Sequence, residues 1–118
     1  MQGNHFTVSY HTAGTLAANH VFTFIAPFDC QLEAISAGGS NTNSGLIIAG
    51  PSTSTAAYLA SSSIGDGSVP IEFDRDNFVG GEYPHIAKGV IVTITLDYDG
   101  AGGTATADFT LVLTFSEG

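Results

Sequence analysis

The feature that most constrains the fold is a strict alternation of apolar and polar residues near the C-terminus. Residues 104–115 read TATADFTLVLTF. One side holds Ala105, Ala107, Phe109, Leu111, Leu113 and Phe115, and the other holds mainly threonines together with Asp108. Successive side chains of a β-strand point to opposite faces of its sheet. The pattern therefore predicts an antiparallel strand with one face in the core and one face in water.

Seven further segments carry strand features: residues 4–11, 19–27, 30–38, 45–50, 56–60, 69–73 and 90–98. No segment shows the apolar spacing of an amphipathic helix. Short strands with turn signals at intervals of about eight to twelve residues indicate a β-sandwich or a barrel. We predict an all-β fold, an antiparallel, eight-stranded, jelly-roll-like β-sandwich, in a single domain over residues 1–118.

The second of these segments leads to a more specific expectation. Phe22 and Phe24 face one side of the strand, while Val21 and Ile25 face the other. Because both sides are apolar, we expect this strand to be covered on both faces, the second by self-association. The glycine-rich residues 99–103 either close a hairpin or cross between two sheets, and the pattern allows both.

The charge of the chain excludes several classes of function. Charged residues make up 11% of the 118 residues, and 11 acidic residues against Arg75 and Lys88 give a net charge of −9. Phosphate backbones and anionic membranes are bound mainly through Lys and Arg. We therefore predict that the protein binds neither nucleic acid nor membrane. No signal-peptide pattern and no apolar run of ~20 residues is present, so we expect a soluble protein made in the cytoplasm.

The titratable and nucleophilic residues form no recognisable catalytic or metal-binding pattern. Glu72, Asp74 and Asp76 alternate along one segment but lack the spacing of an EF-hand, so we interpret them as a solvated acidic rim, with bound Ca²⁺ as the alternative. The four histidines include no His-x-His pair. Cys30, the single cysteine, lies in an apolar run and is expected in the core. We predict no enzymatic activity, no cofactor and no metal.

Two parts of the chain combine strands and turns in an order that recurs in known proteins. FTFIAPFDCQLEAISAGG (residues 22–39) combines a strand, an Ala-Pro step, a short acidic turn and a strand that ends in small residues. IAKGVIVTITLDYDG (residues 86–100) combines a Lys-Gly turn with a long strand and is followed by TATADFTLVLTF. The chain is similar here to the small jelly-roll capsid decoration, or cement, proteins of tailed phages. It departs from some of them because no long extended arm precedes the first predicted strand.

The resemblance implies a function, partners and a location. Proteins of this family sit as trimers on the outer surface of the phage head and stabilise contacts between major capsid proteins. It thus implies a homotrimer, a major capsid protein as partner and a place on the outside of the virion. As capsid or subunit contacts we predict His5, Thr7, Ser9 and His11 on the first strand and Phe78, Tyr83 and His85 in the long loop at residues 76–88.

Two rival classes of function stay open at this point. The first is a receptor- or glycan-binding jelly-roll module of a phage fibre or tail, for which Tyr58, Tyr83 and Tyr98 are candidate aromatic platforms. The second is a small enzyme or a metal-dependent cupin, which the absence of a His-x-His pair disfavours.

Overall fold

The computed structural model describes residues 4–118 and consists almost entirely of β-strands. These are β1 (His5–Thr15), β2 (His20–Ile25), β3 (Cys30–Gly38), β4 (Leu46–Pro51), β5 (Leu59–Ser63), β6 (Ile71–Phe73), β7 (His85–Ile86), β8 (Ile91–Asp97) and β9 (Ala107–Glu117). A single turn of 3-10 helix at Val79–Gly81 is the helical element of the described chain. Within residues 4–118, no helix is long and apolar enough to cross a membrane.

The strands form two antiparallel sheets. A five-stranded sheet has the order β1-β9-β3-β6, and β7 also pairs with β3. A four-stranded sheet has the order β2-β8-β4-β5. The predicted all-β, antiparallel β-sandwich is thus confirmed. The structure adds one strand to the predicted eight, the two-residue β7.

The strands pair in a nested order. β1 pairs with β9, β2 with β8, β3 with β6 and β4 with β5, and these pairs alternate between the two sheets. The chain therefore follows the path of one long antiparallel ribbon wrapped around a common core. Because β8 and β9 belong to different sheets, residues 98–106 cross between the sheets and do not close a hairpin.

The core lies between the sheets and is built from the predicted inward rows. On β9, the fully buried side chains are Phe109, Leu111, Leu113 and Phe115, and on β8 they are Val92, Ile94 and Leu96. Half-buried aromatic residues of β2 close the core from the other sheet. The ring of Phe24 lies 5.2 Å from that of Phe115, and Phe22 lies 5.8 Å from Phe109. Cys30 is fully buried, as predicted.

Strand β3 departs from simple alternation. The sequence pattern placed Cys30, Leu32 and Ala34 on one face, but the pairing register with β9 shifts between Leu32 and Ala34. Such a β-bulge inserts an extra residue and reverses the inward and outward positions that follow it. Ile35 and Ala37 consequently point into the core and are fully buried.

Two smaller differences concern β5 and the approach to β9. β5 was predicted at residues 56–60 but runs from Leu59 to Ser63, because residues 52–58 form turns that fold back over β4. Thr106 was placed on the wet side by alternation but is fully buried. Its hydroxyl donates a hydrogen bond of 2.8 Å to the carbonyl oxygen of Tyr98, which satisfies the buried polar group.

Candidate contact surface

The predicted contact residues of β1 form one exposed row. His5, Thr7, Ser9 and His11 are all exposed, whereas Phe6, Val8 and Tyr10 between them are half-buried against the core. This alternation places the four polar side chains on the outer face of the five-stranded sheet. β1 is the edge strand of that sheet, so the row lies along one margin of the molecule.

A second row runs across the sheet and joins two predicted residues that are far apart in sequence. His5 is opposite Ser116, Ser116 is opposite Gln31, and Gln31 is opposite His85. Neighbouring strands lie ~4.8 Å apart, so the row from His5 to His85 spans about 14 Å of the outer face. We call these four residues the cross-strand row. The structure thus brings two predicted contact residues onto one surface.

A hydrogen-bond network fixes one half of the cross-strand row. The Nε2 atom of His5 lies 3.3 Å from Oε1 of Glu33. Oε2 of Glu33 accepts hydrogen bonds from the Ser116 hydroxyl at 2.9 Å and from Nε2 of Gln31 at 3.1 Å. Three strands are therefore linked through one carboxylate, which limits the rotamers available to these side chains.

Sequence reasoning missed Gln31, Glu33 and Ser116 as parts of this surface. The alternation of β3 did assign Gln31 and Glu33 to the face opposite Cys30 and Leu32. The missing information was the order of the strands, because the pattern of one strand says nothing about which strand lies beside it.

The far end of β1 has a second polar cluster, around Asp108. Its Oδ1 accepts a hydrogen bond of 2.7 Å from the backbone N–H of Gly14, and its Oδ2 accepts one of 2.7 Å from the Ser40 hydroxyl. These two donors lower the pKa of Asp108, and the nearby His11 acts in the same direction. His11 also has its Nδ1 atom 3.0 Å from the hydroxyl oxygen of Thr110.

A shallow groove lies beside this cluster. It has a volume of about 360 Å³, and its polar lining is His11, Ser36, Ser40, Ser68, Asp108 and Thr110. Both carboxylate oxygens of Asp108 and the hydroxyls of Ser40 and Thr110 already have hydrogen-bond partners within the chain, which leaves the hydroxyls of Ser36 and Ser68 for a ligand.

The long loop at residues 76–88 contains three predicted contact residues, of which two are exposed and one is buried. Phe78 is only 3% exposed and belongs to the core, so its ring is not available as a surface contact. The backbone N–H of Val79 donates to the carbonyl of Tyr58 at 3.0 Å, which holds the loop against the sandwich. Tyr83 is 39% exposed, and His85 is exposed on β7. The loop lies at the opposite margin of the five-stranded sheet from β1.

The outer face of the four-stranded sheet has a different character. Val21 is 62% exposed, Ile25 is 64% exposed and Ile91 is 42% exposed. Ile25 and Ile91 are cross-strand partners on β2 and β8. We call these three residues the apolar patch. The second face of β2 is therefore apolar, as the sequence indicated, and it has no cover within the described chain.

The described residues contain no cluster of three or more His, Cys, Asp or Glu side chains that could hold a metal ion. The Cys30 thiol is enclosed by the core, and desolvation, followed by the nearby Asp29 carboxylate, raises its pKa. A raised pKa keeps the group in the thiol form, which is the less nucleophilic form.

Comparison with known proteins gives a structural likeness only. No family model and no curated protein matches the chain. Among solved structures, the chain is similar to a chain of the cyanophage Pam1 capsid asymmetric unit, with a TM-score of 0.59 and 15% identity, over 99% of this chain and 87% of that chain. It is also similar to the pre-peptidase C-terminal domain of a Bacillus anthracis collagenase, with a TM-score of 0.49 and 15% identity, over 94% and 88% of the two chains. At this identity the first likeness shows a shared fold.

Proposed function

We propose that this protein is a structural component of a phage virion that decorates the outer surface of the head and stabilises contacts between major capsid proteins. The observation that carries the proposal is the likeness of almost the whole chain to a chain of a phage capsid asymmetric unit. A fold alone does not define a function, so the surface features must fit as well.

The nested strand pairing supports the fold expected for such a protein. Apart from the two-residue β7, the strands pair first to last, second to last but one and so on inward. This is the arrangement of a rolled-up antiparallel ribbon. We propose that this sandwich is a jelly roll, an architecture that recurs in viral capsid proteins.

The two outer faces suit two kinds of contact. The five-stranded sheet presents a polar, hydrogen-bonded surface with the cross-strand row, which fits contact with the shell. The four-stranded sheet presents the apolar patch, which fits contact between copies of this chain, in a trimer as the family resemblance implies. The net charge of −9 would also be repelled by packaged DNA, which favours a position outside the shell.

The mechanism that we propose is avidity without catalysis or a cofactor. Each subunit contact with the shell can be weak. Linked copies that bind several capsid subunits dissociate only when all contacts break together, which raises the effective affinity by a factor of about 10²–10⁴. Bridging of neighbouring capsid subunits then opposes their separation under internal pressure.

Co-sedimentation of purified protein with undecorated phage heads tests the proposal. The wild type should pellet with the heads, and the double variant His5→Ala/His85→Ala should bind about fivefold to thirtyfold more weakly, as expected for a loss of roughly 1–2 kcal/mol at an interface. His20→Ala, a change of the histidine on the other sheet, is the matched control and should bind as the wild type does. If the double variant binds heads as tightly as the wild type does, the cross-strand row is not part of the contact.

The groove beside Asp108 supports a second candidate function, a receptor- or glycan-binding module of a fibre or tail. The hydroxyls of Ser36 and Ser68 in its lining are suited to hydrogen bonds with a sugar. A glycan array separates the two functions. The second function would be supported in place of the first by two results together. The protein would bind a specific glycan but not heads, and Ser36→Tyr would abolish glycan binding by filling the groove.

A further inference from the structure

The edge strand β1 is long and has one unpaired side. It runs over 11 residues, from His5 to Thr15. Among the described residues it pairs with β9 alone, which makes it the margin of the five-stranded sheet. Such a margin carries a line of backbone N–H and C=O groups with no strand beside them.

The register identifies these groups. The N–H of Glu117 donates to the carbonyl of Asn4 at 2.7 Å, so Asn4 and Glu117 form a hydrogen-bonded pair. Hydrogen-bonded and non-hydrogen-bonded pairs alternate along an antiparallel ladder. The even-numbered residues of β1 up to Thr12 therefore bond to β9. The N–H and C=O groups of His5, Thr7, Ser9 and His11 point away from it, toward solvent.

Nothing in the sequence of β1 protects this edge. Natural proteins usually protect edge strands with Lys, Pro, a bulge or a very short strand. From His5 to His11 the strand has no Lys and no Pro, and its first register shift lies beyond Thr12. The opposite margin is formed by β6 and β7, which have only three and two residues. The edge strand of the other sheet, β2, differs from β1 because one of its backbone groups already has a partner: the Thr23 carbonyl accepts a hydrogen bond of 3.0 Å from the Tyr10 hydroxyl.

The surroundings define what can pair here. On the inner side, a new strand would meet the half-buried Phe6, Val8 and Tyr10, so every second residue of it should be apolar. On the outer side, the nearby carboxylates are Glu33 and Asp108, and the chain has a net charge of −9. The outward residues of the partner should therefore be neutral or basic. Another copy of this acidic chain fits poorly, because two chains of net charge −9 repel each other and β1, unlike the apolar patch, has no exposed large apolar side chain to offset the repulsion.

We propose that the free edge of β1 binds an extended segment of a different protein as an added β-strand. The segment alternates apolar residues with neutral or basic ones, and backbone hydrogen bonds to His5, Thr7, Ser9 and His11 provide most of its contacts. Under the proposed function, on which this assignment of the partner rests, the segment belongs to the major capsid protein.

Proline at an outward-pointing position tests the backbone contact without breaking the sheet. Ser9→Pro removes an N–H that faces the free edge and leaves the bonds to β9 in place. Ser9→Ala removes the side chain and keeps the N–H. In co-sedimentation with heads, Ser9→Pro should bind at least about tenfold more weakly than the wild type, and Ser9→Ala should bind within about twofold of it. Val8→Pro removes a hydrogen bond to β9 and serves as the reference for a disrupted sheet in circular dichroism and thermal unfolding.

The outcomes separate the two proposals. The edge-strand proposal is wrong if the wild type binds heads and a folded Ser9→Pro variant binds them equally well. It is also wrong if Ser9→Pro does not fold and Ser9→Ala binds as weakly as the His5→Ala/His85→Ala variant. A wild-type dimer that Ser9→Pro converts to a monomer would also overturn it, because the occupant would then be a second copy.

If the wild type binds no heads, the proposed function fails and the edge is tested on its own. The probe is then the synthetic peptide Lys-Val-Thr-Val-Lys-Val-Thr-Val at millimolar concentration, with amide hydrogen exchange followed by NMR. Slower exchange of the Thr7 and Ser9 amides would support the edge-strand proposal, and unchanged exchange would overturn it.

Discussion

Two buried threonine hydroxyls differ in whether they have a hydrogen-bond partner. Oγ1 of Thr93, on the outer face of β8, is buried and has no partner in the described chain, whereas Oγ1 of Thr106 donates to the carbonyl of Tyr98 at 2.8 Å. An unsatisfied buried hydroxyl costs about 1–3 kcal/mol, and a satisfied one contributes roughly 0.5–1.5 kcal/mol. The same substitution should therefore have opposite effects at the two positions.

We expect Thr93→Val to raise the free energy of unfolding by about 1 kcal/mol and Thr106→Val to lower it by about 1 kcal/mol. Chemical denaturation at one protein concentration measures both. The two variants serve as controls for each other because the chemical change is identical. A loss of stability in Thr93→Val would show that its hydroxyl has a partner in solution.

Asp108 should make the stability depend on acid pH. Hydrogen bonds from Gly14 and Ser40 hold its pKa in the folded chain below the ordinary value of 3.8. A lowered folded pKa means that the ionised form stabilises the fold, fully above the unfolded pKa, and that this contribution is lost as the pH falls through the folded pKa.

Comparison with Asp108→Asn isolates this contribution, because Asn also tolerates the left-handed backbone of this position (φ 51°) and lacks the ionisation. The difference in unfolding free energy between wild type and variant should shrink as the pH falls below 3.8. A difference that is the same at pH 7 and pH 2 would contradict the assignment.

At the scale of elements, β9 is the strand on which the five-stranded sheet depends. It pairs with both β1 and β3, and its inward side chains are fully buried. Leu113→Ala should lower the free energy of unfolding by about 2–5 kcal/mol, the range for a large cavity in a packed core. Val112→Ala on the outward side of the same strand should cost clearly less. Equal effects in denaturant titrations would show that the two faces are not distinguished as described.

Alternation of apolar and polar residues predicted the inward side chains of β8 and β9, but it failed where the alternation is interrupted or absent. A period of two fixes which side chains point inward only while the register is unbroken. The bulge after Leu32 on β3 broke it, and the exposed serines of β5 gave no apolar pattern to recognise. Phe78 was assigned to the contact surface because aromatic residues are enriched at interfaces and it lies in the long loop, but the loop folds back and buries the ring.

The candidate surface was only half predictable for a related reason. The exposed polar side of β1 follows from its own sequence, so the exposure of His5 and His11 was predictable. The cross-strand row joins residues 5, 31, 85 and 116, and each step of it depends on long-range pairing between strands. No local pattern contains that information.

At the scale of the whole molecule, charge restricts where copies of this chain can meet. Each copy has a net charge of −9, so contact through acidic surfaces is opposed by repulsion. The apolar patch has no charged member and is the surface that we propose for self-association.

Ile25→Asp should therefore weaken self-association at least about tenfold, because it removes an exposed isoleucine whose burial in the proposed contact would be worth roughly 1.5–3 kcal/mol, and it adds a like charge there. Sedimentation equilibrium gives the association constant. Val69→Asp is the matched control, since Val69 is 68% exposed and lies outside the patch. If the control dissociates the oligomer and Ile25→Asp does not, the patch is not the subunit contact.

The most direct test of the central claim is a cryo-EM reconstruction of undecorated phage heads incubated with the purified protein. A place on the outside of the shell predicts added density above the junctions between major capsid proteins, in subunits that match a sandwich of 44 × 26 × 24 Å. Heads that show no added outer density at saturating protein, or density confined to a fibre or tail, would contradict the account.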